Sequence, residues 1–274
     1  MNWHHVLTIV GTNLKRLYKS RDYWIPLTIL ASLFFVFIPL ILLVLLSNSP
    51  TTPVLTQIGE VIGTLPDQVQ NNIRGDSPGT RTAYAFAVYL LAPVAIIVPL
   101  TISSAVGANT IVGERERGTG EFLAHSPLTE QEIYIGKLIG SLIPGYLATI
   151  VGFALYSLIV NLVVGPQIGG WFFPTTGWWI LIFWVVPPFI AMALSVVLRM
   201  SARVRSAAAA QQASTLVTLP IILLSYAVST GLVYSQAASA FVVGLVAWIL
   251  AYVGLRSGMK AVKRERLLGV ASEA

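Results

Sequence analysis

The chain has 274 residues, 55% of them hydrophobic and 10% charged, with a mean hydropathy of +0.78. Soluble domains carry about a quarter of their residues as charges, so this composition excludes a soluble fold and reads as a polytopic membrane protein with ~20-residue helical spans. The absence of cysteine excludes disulfides and thiolate metal sites, and the net charge of +6 lies where it favours lipid headgroups over nucleic acid.

At the N-terminus, Trp3, Val6, Val10, Leu14 and Leu17 recur at helical spacing, with Lys15, Arg16 and Lys19 largely off that face. Residues 1–23 are expected to form an amphipathic helix against the inner leaflet, as a lipid anchor or as an elbow that also touches a cytoplasmic partner. The first apolar run follows four basic residues, is too long for a signal h-region and precedes no small-x-small site, so it is expected to be retained.

Six helical spans are predicted, at 25–46, 83–108, 138–164, 176–198, 214–234 and 238–256, in one transmembrane domain of all-α class. Between the first two, Val54, Ile58, Val61, Ile62, Leu65, Val69 and Ile73 mark a further helical face, broken near Pro66. The segment 165–174, GPQIGGWFFP, is uncharged and aromatic, as at a membrane interface. Pro187, Pro188 and Pro220 are candidate kinks in spans 4 and 5.

Fifteen Lys/Arg fall in the segments on one side of these spans and only Arg74 and Arg81 on the other. The positive-inside rule then places both termini, and the basic tail 257–274, in the cytoplasm. No ionisable residue lies deep in a predicted span. That argues against a proton-coupled transporter and against an intramembrane hydrolase. His4, His5 and His125 lie outside the spans and show no metal-binding spacing.

Charge is concentrated between spans 2 and 3, in the cytoplasmic segment 109–137. Residues 113–137, GERERGTGEFLAHSPLTEQEIYIGK, carry eight of the 28 charges. Glu114 and Arg117, and Arg117 and Glu121, are spaced for salt-bridged helical turns. Thr119 is placed to cap a short helix through EFLAHS, ended by Pro127. Thr129 and Glu132 form a capping box, with Leu128 and Ile133 as its hydrophobic staple, at the start of a helix running into span 3. Phe122 and Leu123 sit on a helix too short to bury them, as apolar knobs for a partner's groove.

This segment resembles the signature of the type-2 ATP-binding-cassette (ABC-2) permease family, whose pattern is met in order by Glu114, Glu116, Gly118, Thr119, Leu123, Pro127, Gly136 and Lys137. Gly120 departs from the bulkier residue usual there. The resemblance implies a type V ABC exporter-like fold and a multi-pass plasma-membrane permease. Its coupling helix would insert into a separate cytoplasmic ABC ATPase, with two ATPase copies and a second permease copy or paralogue. Glu114, Glu116, Arg117, Gly118, Thr119, Glu121, Phe122, Leu123, Pro127 and Lys137 are then the ATPase-coupling residues. Phe122 and Leu123 act as knobs in that picture, and Arg117 and Glu121 set the register. Arg199, Arg203 and Arg205, between spans 4 and 5, are expected to hold anionic lipid.

No P-loop GxxxxGK[ST] occurs in the chain: the one Gly-Lys pair is Gly136-Lys137, followed by Leu. ATP and Mg are therefore expected on the partner ATPase, with no catalytic residue, metal or cofactor on this chain. The resemblance further implies that spans 2 and 5 line the dimer axis. Ser103, Ser104, Asn109, Thr215, Thr218, Ser225, Tyr226 and Ser229 are the expected pathway-lining residues, although Ser103 and Gly107 also suit close helix packing. A charge-free pathway suits a hydrophobic or amphipathic cargo: a lipid, a lipid-linked molecule or a drug-like compound. The alternative is a non-transport scaffold that recruits a cytoplasmic partner through 113–137.

Overall fold

In the computed structural model, the backbone is described for residues 1–48, 57, 59–60, 62–64, 67–119, 123, 125–204, 206–234 and 237–259. The side chains at 22, 68–69, 115, 217, 224–234 and 237–240 lie outside that description. The amphipathic segment is helix α1, Trp3–Lys19, started by the Asn2 side chain accepting from the His4 N–H. Helix α2 comprises Arg21–Ser32, a π-helical turn at Leu33–Phe37, and Ile38–Asn48.

Helix α3 comprises Pro78–Ala85 and a π turn at Phe86–Leu90, and α4 is Val94–Glu116. The predicted second span is therefore not one helix: it breaks at 91–93. Helix α5 is Glu130–Val163. Helix α6 joins Thr176–Ile180, a π turn at Leu181–Val185, and Val186–Arg203. Helices α7, Ala207–Tyr234, and α8, Ala237–Met259, complete the described chain.

Among the described residues, five helices are long and apolar enough to cross a membrane: Tyr23–Ser47, Val94–Glu114, Glu130–Val163, Thr176–Arg203 and Phe241–Met259. Helix α7 adds the shorter apolar stretch Ala207–Leu223. Helix α4 is the central post, packed on α5, α6 and α7, with α8 against α6, and α1 and α2 against α5. Helices α4 and α6 are the most buried of the five and α2 and α8 the least. The exposed Ile29, Ile41, Ile249 and Val253 on these outer helices suit lipid contact.

Each of the three π turns lies just before a proline, namely Pro39, Pro93 or Pro187. A helical proline offers no N–H to the carbonyl four residues back and its ring crowds that carbonyl. Here those carbonyls belong to Phe35, Tyr89 and Phe183, all inside the π turns, where the widened backbone relieves the crowding. Pro99, Pro144 and Pro220 sit in helices without such a turn.

At 91–93 the disruption becomes a full break. The Leu91 N–H goes back to Phe86, leaving the Ala87 and Val88 carbonyls without their usual helical donors. The Tyr156 hydroxyl donates to Ala87 O at 2.6 Å, and the Trp178 indole donates to Val88 O at 2.8 Å. In an apolar surrounding an unpaired carbonyl costs about 1–3 kcal/mol, so these two aromatics are what make the break tolerable. Tyr156, Trp178, Phe153 and Phe173 stack into one cluster. Asn161 closes it by accepting from the Phe172 and Phe173 N–H groups and donating to Phe173 O. We call this the aromatic end of the bundle.

Ile73, one of the apolar residues predicted between the first two spans, is buried in the core, and Ile62 packs against it. Val54, Ile58, Val61, Leu65 and Pro66 lie outside the described residues, as does the tail from residue 260.

Candidate functional site

The opposite, charged end collects the last turn of α4, the first turns of α5, and α1. Gly118 adopts a left-handed φ of +68°, a conformation glycine reaches without a Cβ penalty, and it turns the chain out of α4. The N–H and hydroxyl of Thr119 then both donate to Glu114 O, at 2.9 and 3.2 Å. The helix Thr119 was expected to cap lies largely outside the described residues, and among those described Thr119 closes the helix behind it. The reason is local: after a left-handed glycine, the next N–H swings back to the last free carbonyls.

Nor does Glu114 pair with Arg117 along the helix. It turns inward, 6% exposed, to the ammonium of Lys137, itself 1% exposed, and to the Arg16 guanidinium at 3.2 Å. Lys137 also reaches Thr110 O at 3.4 Å. One carboxylate from α4 therefore joins a cation from α5 and one from α1. Desolvating two charges costs several kcal/mol per ion, and mutual attraction offsets it only with good geometry, so such a pair fixes register more surely than it adds stability.

The second acid of this end, Glu132, does the same for the N-termini. It completes the capping box with Thr129, accepting from the Thr129 N–H at 2.9 Å while its own N–H donates to Thr129 Oγ1 at 3.3 Å. It also accepts from the Asn2 N–H at 2.6 Å and lies 3.3 Å from His5 Nδ1. Ile133 is fully buried and Leu128 packs against the core, as the staple requires.

Helix α1 is docked on α5. A Cβ on Gly136 would come within 2.8 Å of Ile9, and one on Gly140 within 3.1 Å of Asn13. Two glycines four apart on α5 thus receive two residues four apart on α1, an approach only small residues permit. Val6 and Val10, expected to face the inner leaflet, are instead buried in the protein together with Ile9, whereas Trp3, at the first helical position, is 57% exposed.

Glu116 extends the frame to α7: its carboxylate accepts from the Ala207 N–H at 2.7 Å, at a helix start where negative charge is favoured. Ser206 caps the same helix by accepting from the Ala209 N–H at 3.2 Å. Arg199 donates to its own helix at Ser195 O, and Arg205 lies outside the described residues. Ser201 ties α6 to α4, donating to Ala108 O at 2.6 Å and accepting from Val112 N at 3.3 Å.

Between these posts runs the loop 118–129. Leu123, expected as an exposed knob, is half-buried and packs against the chain's own core. The Ser126 N–H and hydroxyl both return to Leu123 O ahead of Pro127. Arg117 is exposed, with its guanidinium over Gly113. Gly120, Glu121, Phe122 and Ala124 lie outside the described residues.

Of the expected pathway residues, Ser103, Ser104 and Thr218 are buried within the bundle. Ser103 packs where Gly145 leaves room, and Gly107, one turn on, meets Leu194. Ser104 O accepts from Ser214 across α4 and α7 at 3.3 Å. Asn109 borders a small cavity and Thr215 is exposed. The side chains of Ser225, Tyr226 and Ser229 lie outside the described residues.

The sequence reading missed Asn2, His5, Ile9, Asn13 and Arg16 as members of this site. The Gly136-x-x-x-Gly140 spacing carried a signal for Ile9 and Asn13; nothing in the local pattern pointed to Asn2 or His5. A family model described as an ABC-2 family transporter protein matches residues 7–242, most of the chain. Among curated proteins none matches.

Proposed function

Because the chain belongs to the ABC-2 family of transporter proteins, we propose that this ABC transporter permease acts as an exporter, coupled through residues 118–129 to a separate ATP-hydrolysing subunit. The observation that carries this reading is the frame around that loop. Buried Glu114, Lys137 and Glu132, with Arg16 and Glu116 at the surface, fix four helix ends, so a push on the short segment between them passes to α4, α5, α1 and α7 together.

In this proposal the recognised acid and lysine of the segment are frame rather than contact. Contact falls to Phe122 as the knob, with Arg117 and Glu121 setting register by charge, and Gly118, Thr119, Leu123 and Pro127 shaping the loop. ATP and Mg belong to the ATPase, of which two copies serve two permeases, this chain with a second copy or a paralogue. With α7 as a crossing helix the chain has six spans. The fifteen-to-two distribution of Lys/Arg favours cytoplasmic termini, with the charged end inside.

We assign the pathway to the α4–α7 face, with Thr215 and the 225–229 stretch toward the cargo and Ser103, Ser104 and Thr218 as backing. Asn109 stands at its inner mouth. The uncharged face suits a lipid, a lipid-linked molecule or a drug-like compound, moved outward.

The test is a mild-detergent pull-down from native membranes with an ATPase assay on the complex. The expected result is a stoichiometric P-loop ATPase whose activity is uncoupled from transport in Phe122→Ala/Leu123→Ala. A partner without a nucleotide site, or normal coupling in that variant, overturns the assignment.

A further inference from the structure

Two neighbouring cavities, one between α1 and α4 and one between α2 and α5, share lining residues that the coupling reading does not use. The first, about 50 Å³, lies at the charged end and is bordered by Asn13, Arg16, Asn109, Thr110 and Arg117. The Asn13 Nδ2 is buried there without an acceptor among the described residues. Among the described residues the charge around it is unbalanced: Glu114 is shared by Lys137 and Arg16, and Arg117 makes no ion pair.

The second cavity is a groove of about 520 Å³ between α2 and α5. Its walls are apolar, including Leu27, Phe35, Leu147 and Val151, and its floor includes Ile102 of α4. From Tyr23 to Val36 it follows α2 for about 20 Å, more than half of the ~30 Å hydrocarbon core. Leu17 and Tyr23 line both cavities, so the polar space adjoins the end of the groove at Tyr23.

We propose that this composite site holds one anionic phospholipid of the leaflet at the charged end, its phosphate on Arg16, Arg117 and Asn13 and an acyl chain in the α2–α5 groove. Guanidinium groups match phosphate oxygens in geometry and charge, and the unpaired amide donor supplies a third contact. The groove supplies what a free anion does not need, an apolar slot of acyl-chain length opening beside the headgroup space. Among the described residues none of α7 lines either cavity, and Asn109, at the inner mouth of the pathway, borders the polar one, so this lipid sits beside the cargo face rather than on it. The bound lipid braces α1 against α2 and α5; Arg117 is shared with the proposed ATPase contact, whereas the groove residue Ala148 is not.

Native mass spectrometry of the purified full chain tests it, with phosphatidylglycerol, a diacylglycerol of the same acyl chains, and inorganic phosphate as probes. The expected result is one tightly held phosphatidylglycerol, with the diacylglycerol weaker by about tenfold or more, equivalent to losing at least ~1.4 kcal/mol. Arg16→Gln/Arg117→Gln should weaken phosphatidylglycerol comparably, and so should Ala148→Trp, which fills the groove while leaving both arginines in place. Equal binding of the two lipids, or wild-type binding by Ala148→Trp, overturns the proposal. Displacement of the lipid by inorganic phosphate would make the polar cavity a free-anion site and overturn it equally.

Discussion

The two ends of the bundle solve the same problem, broken backbone in an apolar surrounding, by opposite chemistry. At the aromatic end, the carbonyls freed before Pro93 are taken by neutral donors, the Tyr156 hydroxyl and the Trp178 indole, inside a stacked ring cluster. At the charged end, helix termini are joined by carboxylates to an ammonium, a guanidinium and backbone N–H groups. A neutral hydrogen bond can be lost at modest cost; a buried charge that loses its partner cannot. The charged end is therefore the more demanding of its geometry, and it is the end where four helices must keep register around a loop.

The largest effect expected from this contrast is Lys137→Met. It leaves Glu114 buried without its main partner and should cost about 3–5 kcal/mol in unfolding of the purified chain, whereas Glu114→Leu/Lys137→Met should recover most of that. A silent single variant would break the contrast. Next, Gly136→Ala should cost about 1–3 kcal/mol by overpacking Ile9, and Ile9→Ala added to it should relieve part of the loss, as limited proteolysis of α1 would show.

At the aromatic end, Tyr156→Phe keeps the ring and orphans one carbonyl, for about 1–2 kcal/mol in the same unfolding assay; a loss as large as that of Lys137→Met would erase the difference between the ends. Smallest is Thr129→Ala, about 1 kcal/mol through the lost cap, visible as a lower unfolding midpoint without loss of membrane insertion.

Much of this was legible in the sequence where the signal is local. The amphipathic α1, the apolar helices, the capping box at Thr129 and Glu132, and the close packing at Ser103 and Gly107 all follow from spacing over a few residues. The charges of 113–137 were legible as a cluster but not in their direction. Glu114 offers the same i, i+3 spacing to Arg117 whichever way it points, and its real partners lie 23 and 98 residues away. The break at 91–93 was hidden because Pro93 sits in an apolar run like Pro99, Pro144 and Pro220, which do not break their helices. What distinguishes it is the pair of distant donors, Tyr156 and Trp178. Arg16 looked like a solvated basic residue because its acid is on another helix.

The most direct test of the central claim, that the buried acid and lysine hold the frame while Phe122 makes the contact, is the affinity of the partner ATPase for two variants. Phe122→Ala should lose about tenfold or more, the size of a hot-spot residue, with its unfolding midpoint unchanged. Glu114→Leu/Lys137→Met should bind as wild type does. Normal binding by Phe122→Ala together with lost binding by the paired variant would contradict the account, because the charges would then be reaching outward to the partner.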